Sequence, residues 1–323
     1  MTALPRAAAV LGGGALGQVL VPALRAAGVH IALAWNRAEQ RGWRTELEQL
    51  RDAELVLLTV SDPAVEPLCR QVAGLIGRGQ LVAHCAGALS LDPLRSALEA
   101  GARTGSLHPL RAIPRGSTPG ILRDAAAGIA GSDGIAREQL HQLARALGMS
   151  PIPVSAEARA LYHAAAVLAA AGQVALFSRA VEAFQMATGA PEPIARAALL
   201  PLSQGALSSL ERLTPDEALT GPVARGDAET VSAHRAALPG DLVRLYDELT
   251  RAALELKPSA AIEASLRTRP AAANPKAAPG SRSSPRRPPP PSAARPSASS
   301  RSPAPRARPP GRRPPGPAPR RKR

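Results

Sequence analysis

Val10-Leu11-Gly12-Gly13-Gly14-Ala15-Leu16-Gly17 places three glycines at the spacing G-x-G-x-x-G. That spacing suits a diphosphate. Gly12 permits a tight turn off a strand, Gly14 lets the backbone approach a pyrophosphate, and Gly17 lets the next helix pack closely on a sheet. The N–H groups that open that helix, from Ala15 and Leu16 onward, are unpaired and carry positive dipole toward the phosphates. The motif means little in isolation. Here it follows an apolar run and precedes a helical pattern, which is the context dinucleotide binding needs.

Nineteen residues after Gly17 stands Asn36-Arg37, with no carboxylate before Glu39. An acid at that point would bond the 2′-hydroxyl of NAD, whereas the Arg37 fork suits a 2′-phosphate, so NADP is the expected cofactor. Arg41 and Arg44 read as solvated surface. Val60-Ser61-Asp62-Pro63 and His84-Cys85-Ala86-Gly87 each follow an apolar run. Open α/β sheets bind ligands at such strand ends, so the backbone at Val60, Ser61 and Cys85 is expected to line the nicotinamide channel. Asp62 reads as a helix N-cap and Cys85 as packing.

Hydride chemistry leaves the protein one proton to handle. His163 is the first candidate, because it sits early in a long helix and an imidazole is the side chain suited to proton exchange near neutrality. Tyr162 lies about 100° around that helix and reads as core. His108, before Pro109, either contacts substrate or fixes local backbone. Arg225 is a candidate for a substrate carboxylate, reached from a partner subunit. Beside it Asp227 reads as the N-cap of a helix from Ala228.

These residues need elements to place them. Short apolar runs at Ala7–Leu11, 31–35, 54–60, 80–84, 103–107, 128–130 and 149–154 alternate with amphipathic stretches, which predicts βαβ units and a mostly parallel sheet. After Ser155 strand signals stop. A helix is predicted over 156–188, capped by Ser155 and ended by Gly189 and Pro191, with others over 193–213, 228–237 and 241–256. The predicted plan is an α/β Rossmann-like domain over 1–155, an all-α domain over 156–257 and a disordered Pro/Arg-rich tail over 258–323.

Charge divides the chain at the same place. Residues 258–323 hold sixteen of the 40 Lys and Arg and one of the 25 Asp and Glu, so the formal net charge of +15 belongs to them alone. They also hold 18 of the 34 prolines and no aromatic residue. Such a segment cannot offset its chain entropy by burial. A nucleic acid or an acidic protein could meet it, but it has no ring to stack on a base. Cys69 and Cys85, the two cysteines, lie sixteen apart, which leaves no disulfide scaffold or zinc spacing and fits a reducing, cytoplasmic compartment. The apolar run at 164–177 is too short to span a bilayer, and the first apolar stretch runs into glycines instead of a cleavage site.

Three segments carry a resemblance: Leu107-His108-Pro109-Leu110, Leu161-Tyr162-His163-Ala164-Ala165-Ala166-Val167, and Leu219-Thr220-Gly221-Pro222-Val223-Ala224-Arg225-Gly226-Asp227. With the glycine turn ahead of them, they resemble an uncharacterised bacterial family that joins a Rossmann-like domain to a helical domain of unknown function. Its plan is similar to pyrroline-5-carboxylate reductase, ketopantoate reductase, deazaflavin-dependent NADP reductase and the β-hydroxyacid dehydrogenases. The resemblance covers about residues 7–256. It implies a nicotinamide in the interdomain cleft, a homodimer built through the helical domain, and reduction of a C=O or C=N bond in a small, anionic metabolite. Two departures matter. The family pattern has Gln-Thr-Phe where this chain has Arg111-Ala112-Ile113, and Ser-Asn where it has Ala170-Ala171. Residues 1–257 hold one lysine, Lys257, so the lysine-based mechanism of the β-hydroxyacid dehydrogenases is excluded. The alternatives are a dinucleotide-binding sensor without chemistry and an adaptor acting through its basic tail.

Overall fold

A computed structural model describes residues 3–39 and 42–268. Seven strands form one sheet in the order β2-β1-β3-β4-β5-β6-β7. They are β1 Ala7–Leu11, β2 His30–Trp35, β3 Leu55–Leu58, β4 Leu81–His84, β5 Arg103–Leu110, β6 Ala126–Gly131 and β7 Ser150–Pro153. Every neighbouring pair is parallel except β5 and β6. All seven predicted strands are present. The Rossmann-like sheet followed by helices is the fold the alternating pattern implied.

Burial explains why the apolar runs are short and continuous. Ala8, Val10, Leu55, Leu57, Leu81 and Ala83 point to one face, where helices α1 (Ala15–Ala26) and α4 (Gly134–Ala146) cover them. Ala9, Leu11, Val56, Leu58 and Val82 point to the other, under α2 (Asp62–Val72) and α3 (Arg95–Glu99). With period-two side chains and both faces covered, a central strand has no polar position to spare. Asp62 is the first residue of α2 and Ser61 precedes it, so Asp62 is not the cap that the sequence suggested.

The chain then becomes helical. Arg159–Thr188 is one continuous 30-residue helix, made of α5 (Arg159–Val167), a π-helical turn at Leu168–Gly172, and α6 (Gln173–Thr188). Ser155 accepts from Ala158 N, so it caps the turn before α5 and not α5 itself. Gly189, with φ 69°, ends α6 as expected. By length and composition this helix is apolar enough to cross a membrane, longer than the sequence run suggested. There follow α7 (Glu192–Ser209), α8 (Pro215–Ala218), α9 (Gly221–Arg225), α10 (Ala228–Ala237), α11 (Gly240–Leu256) and α12 (Ala260–Arg267). Asp227 does cap α10, accepting from Thr230 N at 2.9 Å.

Helix α12 corrects the tail boundary. Ile262 is fully buried against Val231 and Leu254. Arg235 meets Asp247 through two bonds, at 2.8 and 3.0 Å, and donates to the Ser265 and Thr268 carbonyls. Low hydrophobicity averaged over 258–323 hid one amphipathic helix at its start. The expectation of disorder for 269–323 lies outside the described residues.

Candidate active site

The sheet changes winding direction at β1 and β3, where neighbouring connections leave a crevice at the strands' carboxyl ends. The glycine turn lies there. Gly12 has φ 130°, and a Cβ on it would strike Thr59. A Cβ on Gly17 would lie 1.9 Å from Gly12 O. Neither position admits another residue. Thr59, which the sequence did not single out, holds the turn by donating its hydroxyl to Gly12 O at 2.8 Å. Gly14 precedes α1, whose first turn has no side-chain cap and no acid, so the N–H groups at Ala15 and Leu16 remain available.

Asn36, at the end of β2, rests its side chain against Gly13 and donates to Ala38 O at 3.2 Å. Arg37 next to it is exposed. Arg44 is tied alongside β2 by backbone bonds to Ala34 and Asn36. The turn and the free helix end together fit the diphosphate of a dinucleotide. Val60, Ser61 and Cys85 lie just past β3 and β4 as expected, and Cys85 is buried, which pushes its thiol up to about 12.

A second set of groups meets at the ends of β4 and β5. His108 Nδ1 and Tyr162 Oη are 2.9 Å apart, sharing one proton. The rings of His108 and His163 stand edge to face, with centroids 5.8 Å apart. Both rest on Gly87, where a Cβ would collide with His163 Nδ1 and the His108 ring. That His163 nitrogen is buried and has no hydrogen-bond partner. Burial, then the neighbouring His163 and Arg159, push His108 down to about 4. His84, wholly buried behind them, is likewise pushed down to about 4 by desolvation, with its Nε2 2.8 Å from Ser90 O.

His108, Tyr162 and His163 line one end of a cavity of about 980 Å³. Its remaining wall is largely apolar and includes Ile121, Val167 and the π-turn alanines. Tyr162 is therefore a site residue and not core, and its spacing from Arg159 is the signal that could have shown it. Arg111, Ala112, Ala170 and Ala171, four of the positions where the chain departs from the family pattern, all line this cavity. Arg225 is exposed at the end of α9 and is not part of the lining, so the single chain does not bring it to His108. His234 pairs with Tyr246 Oη at 2.9 Å. Among the described residues no cluster of three or more His, Cys, Asp or Glu could hold a metal ion.

Residues 8–109 match the Rossmann-like domain family, and residues 125–253 match a domain of unknown function, DUF2520. The chain thus carries a match to each of the two domains in turn, the combination its three segments resembled. No curated protein matches it. Among solved structures, it is similar to a candidate NADP oxidoreductase of Bacteroides fragilis, at 22% identity, with 77% of this chain and 98% of that chain covered and a TM-score of 0.63. A Thermotoga maritima protein is similar at 22% identity, with 80% and 100% covered and a TM-score of 0.60. The Plasmodium falciparum pyrroline carboxylate reductase, solved with NADP bound, is similar at 11% identity, with 81% and 97% covered and a TM-score of 0.54. At these identities the likeness is one of fold.

Proposed function

We propose that this chain is an NADP-dependent oxidoreductase that reduces a C=O or C=N bond of a small metabolite in the cleft between sheet and helices. One observation carries the reading: the His108–Tyr162–His163 cluster opens into a cavity at the carboxyl end of the same sheet whose first turn is a phosphate cradle. Gly12, Gly14, Ala15, Leu16 and Gly17 would hold the pyrophosphate, and Asn36 and Arg37 the adenosine ribose with its 2′-phosphate. The backbone at Val60, Ser61 and Cys85 would border the nicotinamide. Bound NADPH would supply hydride. The protein's part is to orient the substrate, exclude water and deliver one proton from the cluster. The names of the similar structures, two of which print NADP, support the same cofactor.

The cavity's apolar wall, with Arg111 as the one Asp, Glu, Lys or Arg in its lining, favours a substrate with an apolar body and at most one anionic group at the rim. Helix α5–α6 and α7 leave Leu168, Val174 and Leu202 each 71% exposed. A second copy of the chain covers such a face better than lipid does, because Arg179 and Glu182 stand mid-helix in an ion pair. Arg225 would then reach the cavity from the partner, if at all. The test is NADPH oxidation against a panel of keto acids, aldehydes and cyclic imines. Turnover with any of them, lost in a Gly14→Val variant that stays folded, supports the reading.

A second reading has its own observation. Ala170 and Ala171 stand where the family pattern has Ser-Asn, and both face the cavity. A dinucleotide sensor would need no polar group there. Tight NADPH binding with no turnover across the panel would favour it.

A further inference from the structure

Helix α5 and strand β5 meet through two rungs. Arg159 and Tyr162, three residues apart, share one face of the helix, and Ser106 and His108, two apart, share one face of the strand. Arg159 donates to Ser106 Oγ, and Tyr162 bonds His108. Gly128 is the cross-strand partner of His108, and a Cβ there would fall 2.6 Å from Tyr162 Oη. The phenol end therefore sits over a position left bare of side chain.

Arg159 is only 2% exposed, and its other partner is the Ala86 carbonyl at 3.3 Å. Among the described residues it has no carboxylate. A buried cation left without an anion is costly, and the cost falls when a neighbour acquires negative charge. The titratable groups packed around it are Tyr162 and His163 on α5, His108 on β5, and His84 and Cys85 at the end of β4. Only Tyr162 and Cys85 become anions on losing a proton, and only Tyr162 lines the cavity.

We propose that Arg159 is a positioning residue that stabilises the phenolate of Tyr162, so that Tyr162 gives the substrate its proton and His108 restores it. The inference rests on the reductase reading above. As the C=O or C=N π bond breaks, its carbon takes the hydride supplied by the cofactor and its oxygen or nitrogen takes the phenolic proton. The O–H electron pair stays on Tyr162, on the same face of α5 as the Arg159 cation. His108, protonated on Nδ1, passes that proton across 2.9 Å to the phenolate and takes another on Nε2 from water. Atoms and charge balance, and His163 is left shaping the wall over Gly87.

Tyr162 and Tyr246 are the only tyrosines, so a Tyr246→Phe background isolates Tyr162. Its phenolate absorbance, followed against pH in protein without cofactor or substrate, reads the pairing directly. Arg159→Gln should raise the midpoint by about one pH unit or more in protein that circular dichroism shows to be folded, since an opposite charge has been withdrawn. An unmoved midpoint overturns the proposal. Should Arg159→Gln fail to fold, Ser106→Ala removes only the guanidinium's anchor, and the same rise or its absence decides. In the activity arm, Tyr162→Phe should lose roughly 10²–10⁴-fold in turnover with NADPH affinity kept, and more than His163→Gln loses. Turnover that survives Tyr162→Phe sinks this inference and leaves the reductase reading intact. A shifted midpoint with no substrate reduced supports the pairing and sinks the reductase reading.

Discussion

Arg37 is exposed just past β2, next to the Asn36 that rests against the glycine turn, and the proposed cofactor puts a 2′-phosphate there. A charge-assisted bond to a 2′-phosphate is worth ~1.5–3 kcal/mol, or about ten- to a hundred-fold in affinity. NADPH should therefore bind that much more tightly than NADH by fluorescence titration, and Arg37→Ala should erase the difference. At His84 the group is an imidazole held neutral. Its folded pKa of about 4 lies below the ordinary 6.5, so the unfolded chain binds the extra proton between those values. Stability contributed by the neutral ring is complete above pH 6.5 and lost as pH falls toward 4, by roughly 3 kcal/mol. Urea melts at pH 7.5 and 4.5 should show the loss, and His84→Gln should shrink it. Sequence showed the glycines and Arg37, because their role depends on local spacing. It could not show Thr59 or Arg159, whose partners are 47 and 53 residues away and become neighbours only when the elements pack together.

Strands were legible for a related reason. With both faces covered, each central strand is an uninterrupted apolar run, and such a run has few other fates. Helix α12 was not, because eight amphipathic residues were averaged into a long Pro/Arg-rich segment. The correction has a measurable consequence. A chain ended at Lys257 should melt lower than one ended at Thr268, since it loses the buried Ile262 side chain, about 1.5–3 kcal/mol, and leaves Arg235 two acceptors short. Equal melting temperatures for the two truncations would show that α12 adds nothing. The π-turn at Leu168–Gly172 was equally hidden, since Leu-Ala-Ala-Ala-Gly satisfies any helical pattern. It puts three alanines into the cavity wall. Ala170→Leu should therefore shift KM across the substrate panel and leave NADPH affinity where it was.

At the scale of the whole molecule, α5–α7 carry about half of the large apolar side chains left exposed among the described residues. If a second copy covers them, replacing Leu168 and Leu202 with Glu should halve the mass seen by light scattering, and an unchanged mass would place the contact elsewhere. The two cysteines extend the same question from association to motion. Cys69 is sealed on the inner side of α2 over one face of the sheet and Cys85 is buried on the other, and burial leaves Cys85 almost no thiolate. A thiol reagent can reach either one only during an opening of its own face. Alkylation rates at the two sites, read separately by mass spectrometry, thus time the excursions of the two layers in the native protein. Equal rates would mean that the layers open together, in one global event. A faster Cys85 would mean that the layer beside the cofactor crevice opens by itself, on the timescale that ligand entry requires.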